Sequence, residues 1–385
     1  MPLPRAQRVA LVGAAYLGTF LATLDISIVN VALPTLQTAL HADVAGLQWV
    51  INAYAIALST LMLSAGPLGD RHGHKRVWLG SVLLFMAGSL ACALANGITP
   101  LLGGRVIQGM AGALLIPAAM PILTHAFSEP QQRSRAIGGW SACSALALVT
   151  GPLLGGLLVE HFGWQSIFLV SLPLGLVAAT LGLWAIPERR HPQHAAADPL
   201  GQWLCMLGLG LLSYGLINLG QPDRNNASWI WPLAVSAAIL QGFVWQERRV
   251  KHPLLPLPLF RQKSFALANI ASFALGFSGY ASLFFLSIFL QQAQSRSPAA
   301  AGMRLAPQFV MTALTSLLFS RFLQRFELQA LMTAGYFLIG VGMLLMTGFQ
   351  PQTSAPTEMA CLLWLGLGMG LAVPATGMAV MNAAP

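Results

Sequence analysis

The sequence predicts an all-α, polytopic membrane protein, and three observations predict it. Of its 385 residues, 56% are hydrophobic and only 8% are Asp, Glu, Lys or Arg, against about 25% charged residues in a soluble globular domain. The apolar residues form continuous Leu-, Ala- and Gly-rich runs of roughly 20 residues, the length that spans a hydrocarbon core as a helix. The basic residues are confined to short loops and alternate from one loop to the next. Backbone groups in lipid must satisfy their own hydrogen bonds, so each run is expected to be helical. A membrane barrel would instead show ten-residue stretches of alternating polarity.

Twelve such segments can be placed, at approximately 9–30, 49–68, 77–95, 101–125, 136–159, 166–186, 200–219, 230–245, 265–290, 303–322, 331–349 and 359–380. The first follows Arg5 and Arg8, as in a signal peptide. It runs on through Asp25 toward Pro34 with no small-residue cleavage site, which predicts a retained helix. The net charge of +9 would suit nucleic acid, but its distribution points to membrane orientation. Arg5, Arg8, Arg71, Lys75, Arg76, Arg133, Arg135, Arg189, Arg190, Arg248, Arg249, Lys251, Arg261, Lys263, Arg321 and Arg325 all fall on one side. Only Arg224, Arg296 and Arg304 face the other, and Arg105 lies within a segment. This bias predicts a cytoplasmic N-terminus and an inner-membrane protein, and excludes a nucleic-acid partner. Trp49, Trp78, Trp164, Trp229, Trp231 and Trp245 stand near segment ends, where interfacial anchoring is expected.

The informative residues are the polar ones inside apolar runs. Asp25 is the acidic residue set deep in the first segment, where a carboxylate costs about 2.5–3.5 kcal/mol on insertion scales. It must face a cavity or a partner, either as a structural carboxylate or as a proton carrier. In the fourth segment Arg105, Gln108, Gly109 and Gly112 recur at helical spacing on one face. The charge and amide there either line an aqueous path or anchor helices together, while the glycines admit a neighbouring helix. The run Gly66-Pro67-Leu68-Gly69-Asp70-Arg71-His72-Gly73-His74-Lys75-Arg76 reads as a tight basic turn in which Asp70 caps the next helix or pairs with a base on another loop. In the fifth segment Gly151, Pro152, Gly155 and Gly156 predict a kinked, closely packed helix.

Other chemistry is poorly supported. Cys92, Cys143, Cys205 and Cys361 each stand alone in an apolar run, without the pairing of a metal or disulfide site. The histidines (His41, His72, His74, His125, His161, His191, His194 and His252) are scattered, as the acids are. No catalytic cluster is present, and no phosphate-binding loop of an ATP-driven pump. The reading is a non-enzyme without cofactors whose partners are the lipid bilayer and a small-molecule substrate. A partner protein in the envelope would leave no linear motif.

Taken together, these motifs resemble the major facilitator superfamily, and within it the fourteen-helix drug–proton antiporter branch. The stretch 66–76 is similar to the superfamily signature G-x-L-x-D-R-x-G-R-K, with His74 in place of Arg. Residues 101–113 resemble L-x-x-x-R-x-x-Q-G-x-G-x-A, with the small residues at Ala111 and Gly112. Residues 147–156 resemble the antiporter motif G-x-x-x-G-P-x-x-G-G, with Ala147 at its first glycine. Residues 24–34, 49–54 and 164–173 also fit, with Gln165 where Arg is common and Ser171 where Asn is common. In the second half, residues 253–265, Leu290-Gln291, Ser297-Pro298, Gly302 and Pro307 follow in order. The stretch 320–329 takes the place of a second copy of 66–76, without its glycines and Asp.

The resemblance implies a major facilitator fold with about twelve of an expected fourteen transmembrane helices. Residues 1–190 would form an N-terminal six-helix bundle, 191–250 two additional linker helices, and 251–385 a partial four-helix C-terminal bundle. The chain ends just after its twelfth segment, so the same plan implies a second bundle two helices short, and a truncated, non-transporting relative is the alternative. The implied activity is alternating-access export of lipophilic or cationic compounds in exchange for protons. Asp25 would carry the proton and Arg105 tune it. Gly66, Asp70, Arg71, Gly73 and Lys75 would form a cytoplasmic gate, and Gly151–Gly156 a hinge. Transport of another small solute by the same fold is a further possibility, since substrate choice leaves no linear motif.

Overall fold

A computed structural model describes residues 4–62, 64–127, 129–188, 198–220, 229–250, 253–255 and 257–383. Arg189, Arg190, Arg224, Lys251, His191, His194 and His252 therefore lie outside the described residues, as do the boundaries expected at 190/191 and 250/251. Every expected segment is helical: α1 (Arg5–Ala39), α2 (Val44–Met62), α4 (His74–Ala93), α5 (Ile98–Ala126), α6 (Pro130–Phe162), α7 (Ser166–Leu169) with α8 (Ser171–Ala185), α9 (Pro199–Leu219), α10 (Ile230–Glu247), α11 (Lys263–Ile288), α12 (Pro298–Leu323), α13 (Leu328–Met346) and α14 (Ala355–Ala383). Among the described residues, ten helical stretches are long and apolar enough to cross a membrane; α10 and α12 are helical but fall outside that set. The first helix outruns its predicted end, continuing through Pro34 to Ala39.

Two predictions need correction. The stretch 66–76 is not a simple turn: residues Ala65–His72 form a short helix, α3, and the chain turns only at Gly73, whose φ of 98° favours glycine. Trp78 and Trp164 are not interfacial anchors but buried side chains. The Trp78 indole fills space left by two glycines on other helices, since a Cβ on Gly18 or on Gly182 would run into its ring. Trp231 and Trp245 are more than half exposed, as anchors should be.

The helices form two compact units. One comprises Met1–Thr23, Leu36–Cys143 and Gln165–Pro256; the other comprises Leu24–Thr35, Ser144–Trp164 and Leu257–Pro385. Both are built with the same device, backbone-to-backbone contact at paired glycines. In the first unit, a Cβ on Gly88 of α4 would lie 2.9 Å from Gln108 N, and one on Gly104 of α5 would lie 2.9 Å from Cys92 N. In the second, a Cβ on Gly335 of α13 would lie 2.7 Å from Ala372 N, and one on Gly368 of α14 would lie 2.8 Å from Ile339 N. Lipid tails give no hydrophobic drive for helix association, so close van der Waals contact at small residues supplies it. The second unit also has an apolar core of Val31, Leu283, Leu286, Leu290, Ala301, Leu305 and Leu362.

Candidate functional site

In the first unit, the polar residues of α5 are enclosed by α2 and α4. Arg105 is only 2% exposed and Gln108 is fully buried. Arg105 Nε donates to Val50 O at 3.0 Å and its Nη1 donates to Gln108 Oε1 at 2.9 Å. The guanidinium also lies 4.4 Å from the centre of the Tyr54 ring, a cation–π contact that gains strength where water is excluded. Gln108 Nε2 in turn donates to Ser89 Oγ at 2.8 Å, and the Cys92 thiol donates to Gln108 Oε1 at 3.4 Å. A Cβ on Gly109 would strike the Tyr54 carbonyl oxygen, and one on Gly112 would lie 2.8 Å from the Tyr54 hydroxyl. The face read from the sequence therefore divides its work. The glycines seat α2 through Tyr54, and the charge and amide cross-link α5 to α2 and α4. Of the two roles the spacing allowed, this arrangement is helix anchoring rather than the lining of open space.

Asp25 falls in the second unit and is 2% exposed. Its stretch of α1 is seated on the glycine motif of α6. Ser27 Oγ lies 3.1 Å from Leu24 O and 3.3 Å from Ala147 O. A Cβ on Gly151 would collide with Ser27 Oγ, and one on Gly155 would lie 3.0 Å from Ile28 O. The next part of the motif seats α12: a Cβ on Gly156 would lie 2.5 Å from Pro298 O, and one on Gly302 would strike the Pro152 carbonyl oxygen. Glu160 accepts from Ala299 N at 3.2 Å, which holds the start of α12. On its other flank, α1 receives hydrogen bonds from α11 and the π-helical turn that follows it. Ser287 Oγ donates to Asn30 O at 2.7 Å and Gln291 Nε2 donates to Val31 O at 2.9 Å. The segment bearing Asp25 is thus cross-linked to two helices through its backbone.

The gate stretch is held both within itself and to the end of α8. Asp70 pairs with His74 Nε2 at 3.2 Å, one helical turn on, rather than with a base on another loop. Gly69 leaves the room that the His74 imidazole occupies. Nor does Asp70 cap α4, whose N-cap is Gly73 with no side-chain hydrogen bond. Lys75 Nζ donates to Leu183 O at 2.6 Å, and Arg76 Nε reaches Glu188 Oε2 at 3.4 Å, tying the start of α4 to the end of α8. Arg71 is exposed, and a Cβ on Gly66 would meet open space.

The sequence reading passed over Ser89 and Ser287, and it gave no individual role to Asn30, Val50, Tyr54 and Gln291, which it met only as motif positions. Tyr54 alone had a signal, a polar aromatic facing the glycine pair of α5. The others are small polar residues or backbone carbonyls, which have no pattern of their own. Among the described residues no group of three or more His, Cys, Asp or Glu could hold a metal, and the cysteines are free.

Ten membrane-length helical stretches among the described residues, two glycine-packed units and polar side chains buried inside them define an integral, multi-pass membrane protein. The chain belongs to the Major Facilitator Superfamily, whose sequence profile matches residues 15–385. It is 34% identical over 368 residues to the multidrug resistance protein Stp of Mycobacterium tuberculosis, covering 95% of this chain and 67% of that protein. It is 33% identical over 374 residues to the methylenomycin A resistance protein of Bacillus subtilis, covering 96% of this chain and 79% of that protein. The crystal structure of a D-xylose-proton symporter superimposes with a TM-score of 0.68 over 97% of this chain and 86% of that one, at 13% identity, which bears on the fold alone. The protein is therefore a transporter of small molecules and not an enzyme.

Proposed function

We propose that the protein exports small lipophilic or cationic compounds in exchange for protons, by alternating access, as a member of the fourteen-helix drug–proton antiporter branch. It would sit in the inner membrane with a cytoplasmic N-terminus, laid out as a bundle over 1–190, linker helices over 191–250 and a second bundle from 251. The observation that carries the reading is Asp25, a carboxyl 2% exposed on a membrane helix, beside the glycine motif Gly151–Gly156. Ionisable side chains inside membrane helices mark ion and proton pathways, and binding and releasing a proton as access alternates is the role that fits Asp25. The membrane potential adds about 2.3 kcal/mol per charge per 100 mV to an inward-moving proton.

Resistance to methylenomycin A and to multiple drugs in relatives about one-third identical supports a drug-like substrate. So does a pocket of about 420 Å³ in the second unit, bordered by Phe277, Phe285, Phe289, Met343, Met346 and Phe349. Flexible thioethers and aromatic faces there suit apolar molecules of varied shape. Arg105 would hold α2, α4 and α5 as one piece and set the local potential. The Asp70–His74 pair would brace the gate stretch, and the Gly151–Gly156 motif would be the surface on which α1 and α12 shift.

The test is Asp25→Asn in a pump-deleted host and in vesicles under an imposed pH difference. It is run on two versions of the chain, the parent and the variant. The expected result is normal membrane insertion with loss of pH-driven efflux. Unchanged pH-driven efflux would remove Asp25 from the mechanism. Efflux that ignores the pH difference in both versions would refute proton coupling.

A further inference from the structure

A second pair of buried acids lies outside the transport residues, where α9 begins and α10 ends. Asp198 and Glu247 are 4% and 3% exposed. Each satisfies one carboxylate oxygen: Asp198 Oδ1 accepts from Gly201 N at 2.9 Å, and Glu247 Oε2 accepts from Leu255 N at 2.8 Å. The other two oxygens, Asp198 Oδ2 and Glu247 Oε1, are buried and have no hydrogen-bond partner. They converge on one spot. A Cβ placed on Gly201 would lie 2.5 Å from the first and 2.9 Å from the second. Two ionised carboxylates cannot be kept so close and so dry at reasonable cost, because each charge loses hydration and repels the other.

Among the described residues the surroundings supply no counter-charge. Gln246 Nε2 approaches Asp198 Oδ1 at 3.4 Å, which leaves Oδ2 unmatched. Arg249 is stacked 3.7 Å above the Trp245 ring, and Arg248 forms no ion pair among the described residues. Cys205, farther along α9, is a neutral thiol near enough to feel Glu247. The α2 helix, which packs on α9, has Tyr54 as its titratable residue, and that hydroxyl is committed to Ala22 O at 3.1 Å.

We propose that Asp198 and Glu247 bind one proton between them, making a second proton site, separate from Asp25, that clips the start of α9 to the end of α10. With one carboxyl protonated, it can donate to the other, directly or through a water, and both orphan oxygens are satisfied. With both ionised, the clip becomes a repulsion. Burial pushes the Glu247 carboxyl above the usual carboxylate range and the Asp198 charge adds to it, while the Leu255 and Leu254 amides pull it down. The folded pair therefore binds its proton more tightly than the unfolded chain does. Its stabilisation is full below the ordinary carboxyl range and is lost as pH rises through the raised value.

Infrared difference spectroscopy of the full chain in nanodiscs tests this. At pH 5, just above the ordinary carboxyl range, the parent should show a protonated-carboxyl band that is absent from Glu247→Gln. Asp198→Asn should lower the pH at which the band is lost, because burial of Glu247 remains but the neighbouring charge that adds to it is gone. The asparagine still caps α9, so either variant suffices if the other fails to fold. The band should persist in Asp25→Asn, which separates this site from the transport proposal. The parent's melting temperature should fall as pH is raised from 5 to 8, and that slope should flatten in Glu247→Gln. Parent and Glu247→Gln spectra that match at pH 5 would overturn the proposal. So would loss of the band on adding sodium or magnesium ions at fixed pH and ionic strength, which would mark a cation site.

Discussion

Arg105 in the first unit and Arg304 in the second are both placed on long helices, but they are balanced in different ways. Arg105, 2% exposed, is held by a backbone carbonyl, an amide oxygen and an aromatic face. Arg304, with a fifth of its side chain in contact with solvent, meets the buried Glu358 carboxylate at 3.4 Å, and Glu358 also accepts from Gln294. Glu358 stands in the first turn of α14, where the helix dipole favours an acid. Arg304 meets an opposite charge, whereas the contacts named around Arg105 are with dipoles and a ring face. Both arrangements fasten helices: Arg105 ties α5 to α2, and Arg304 ties α12 to α14.

The largest effect is expected at Arg105. Arg105→Ala would leave Val50 O and Gln108 Oε1 buried without this donor, at about 1–3 kcal/mol each, and should abolish transport together with much of the folded yield. Arg105→Lys sharpens the comparison because it keeps the charge. An ammonium is a point donor that cannot reproduce the guanidinium's two directed hydrogen bonds and its stacking on Tyr54. Folded yield near normal with transport down by more than about tenfold, a loss of 1.4 kcal/mol, is the expected outcome. Equal transport by the lysine variant would mean that charge alone matters at this position.

Glu358→Gln is expected to do less. The amide can still accept a hydrogen bond, and solvent reaches part of Arg304. The loss should be about 1 kcal/mol, at the lower end for an interaction with a charged group. Thermal melting should register it, and efflux should stay within a few-fold of the parent. If efflux collapsed while melting was unchanged, the Arg304–Glu358 pair would join the transport machinery and the contrast with Arg105 would fail.

How much of this was legible in the sequence depended on whether both partners of an interaction are side chains with a regular spacing. Helices declared themselves through apolar length. Arg105 with Gln108, and Gly109 with Gly112, stood out because helical periodicity places them on one face. Their partners did not, since Val50 contributes a carbonyl that any residue would offer. The Ser287 and Gln291 bonds to α1 likewise join distant positions through backbone oxygens. Trp78 read as an anchor from its position near a segment end, and the glycines that bury it, Gly18 and Gly182, belong to other helices. The short α3 was hidden by Gly66, Pro67 and Gly69, which read as a turn when taken singly; in three dimensions Gly69 is helical and makes room for His74. Asp198 and Glu247 looked like ordinary loop acids, because only the folding back of α10 on α9 brings them together.

The smallest effect isolates one link in the Arg105 cluster. Tyr54 contributes a ring face to the guanidinium and a hydroxyl that donates to Ala22 O at 3.1 Å. Tyr54→Phe removes the hydroxyl and keeps the ring. Interhelical hydrogen bonds inside membranes average about 0.6 kcal/mol, because the unfolded chain in lipid also finds partners. The variant should therefore melt within a few degrees of the parent and transport at a similar rate. Tyr54→Leu removes the ring as well, takes away the cation–π contact, worth about 2 kcal/mol when desolvated, and leaves a gap beside Gly109 and Gly112. If the two variants lost the same amount, the tyrosine would act through its hydroxyl. A larger loss in the leucine variant would assign the work to the ring that faces Arg105.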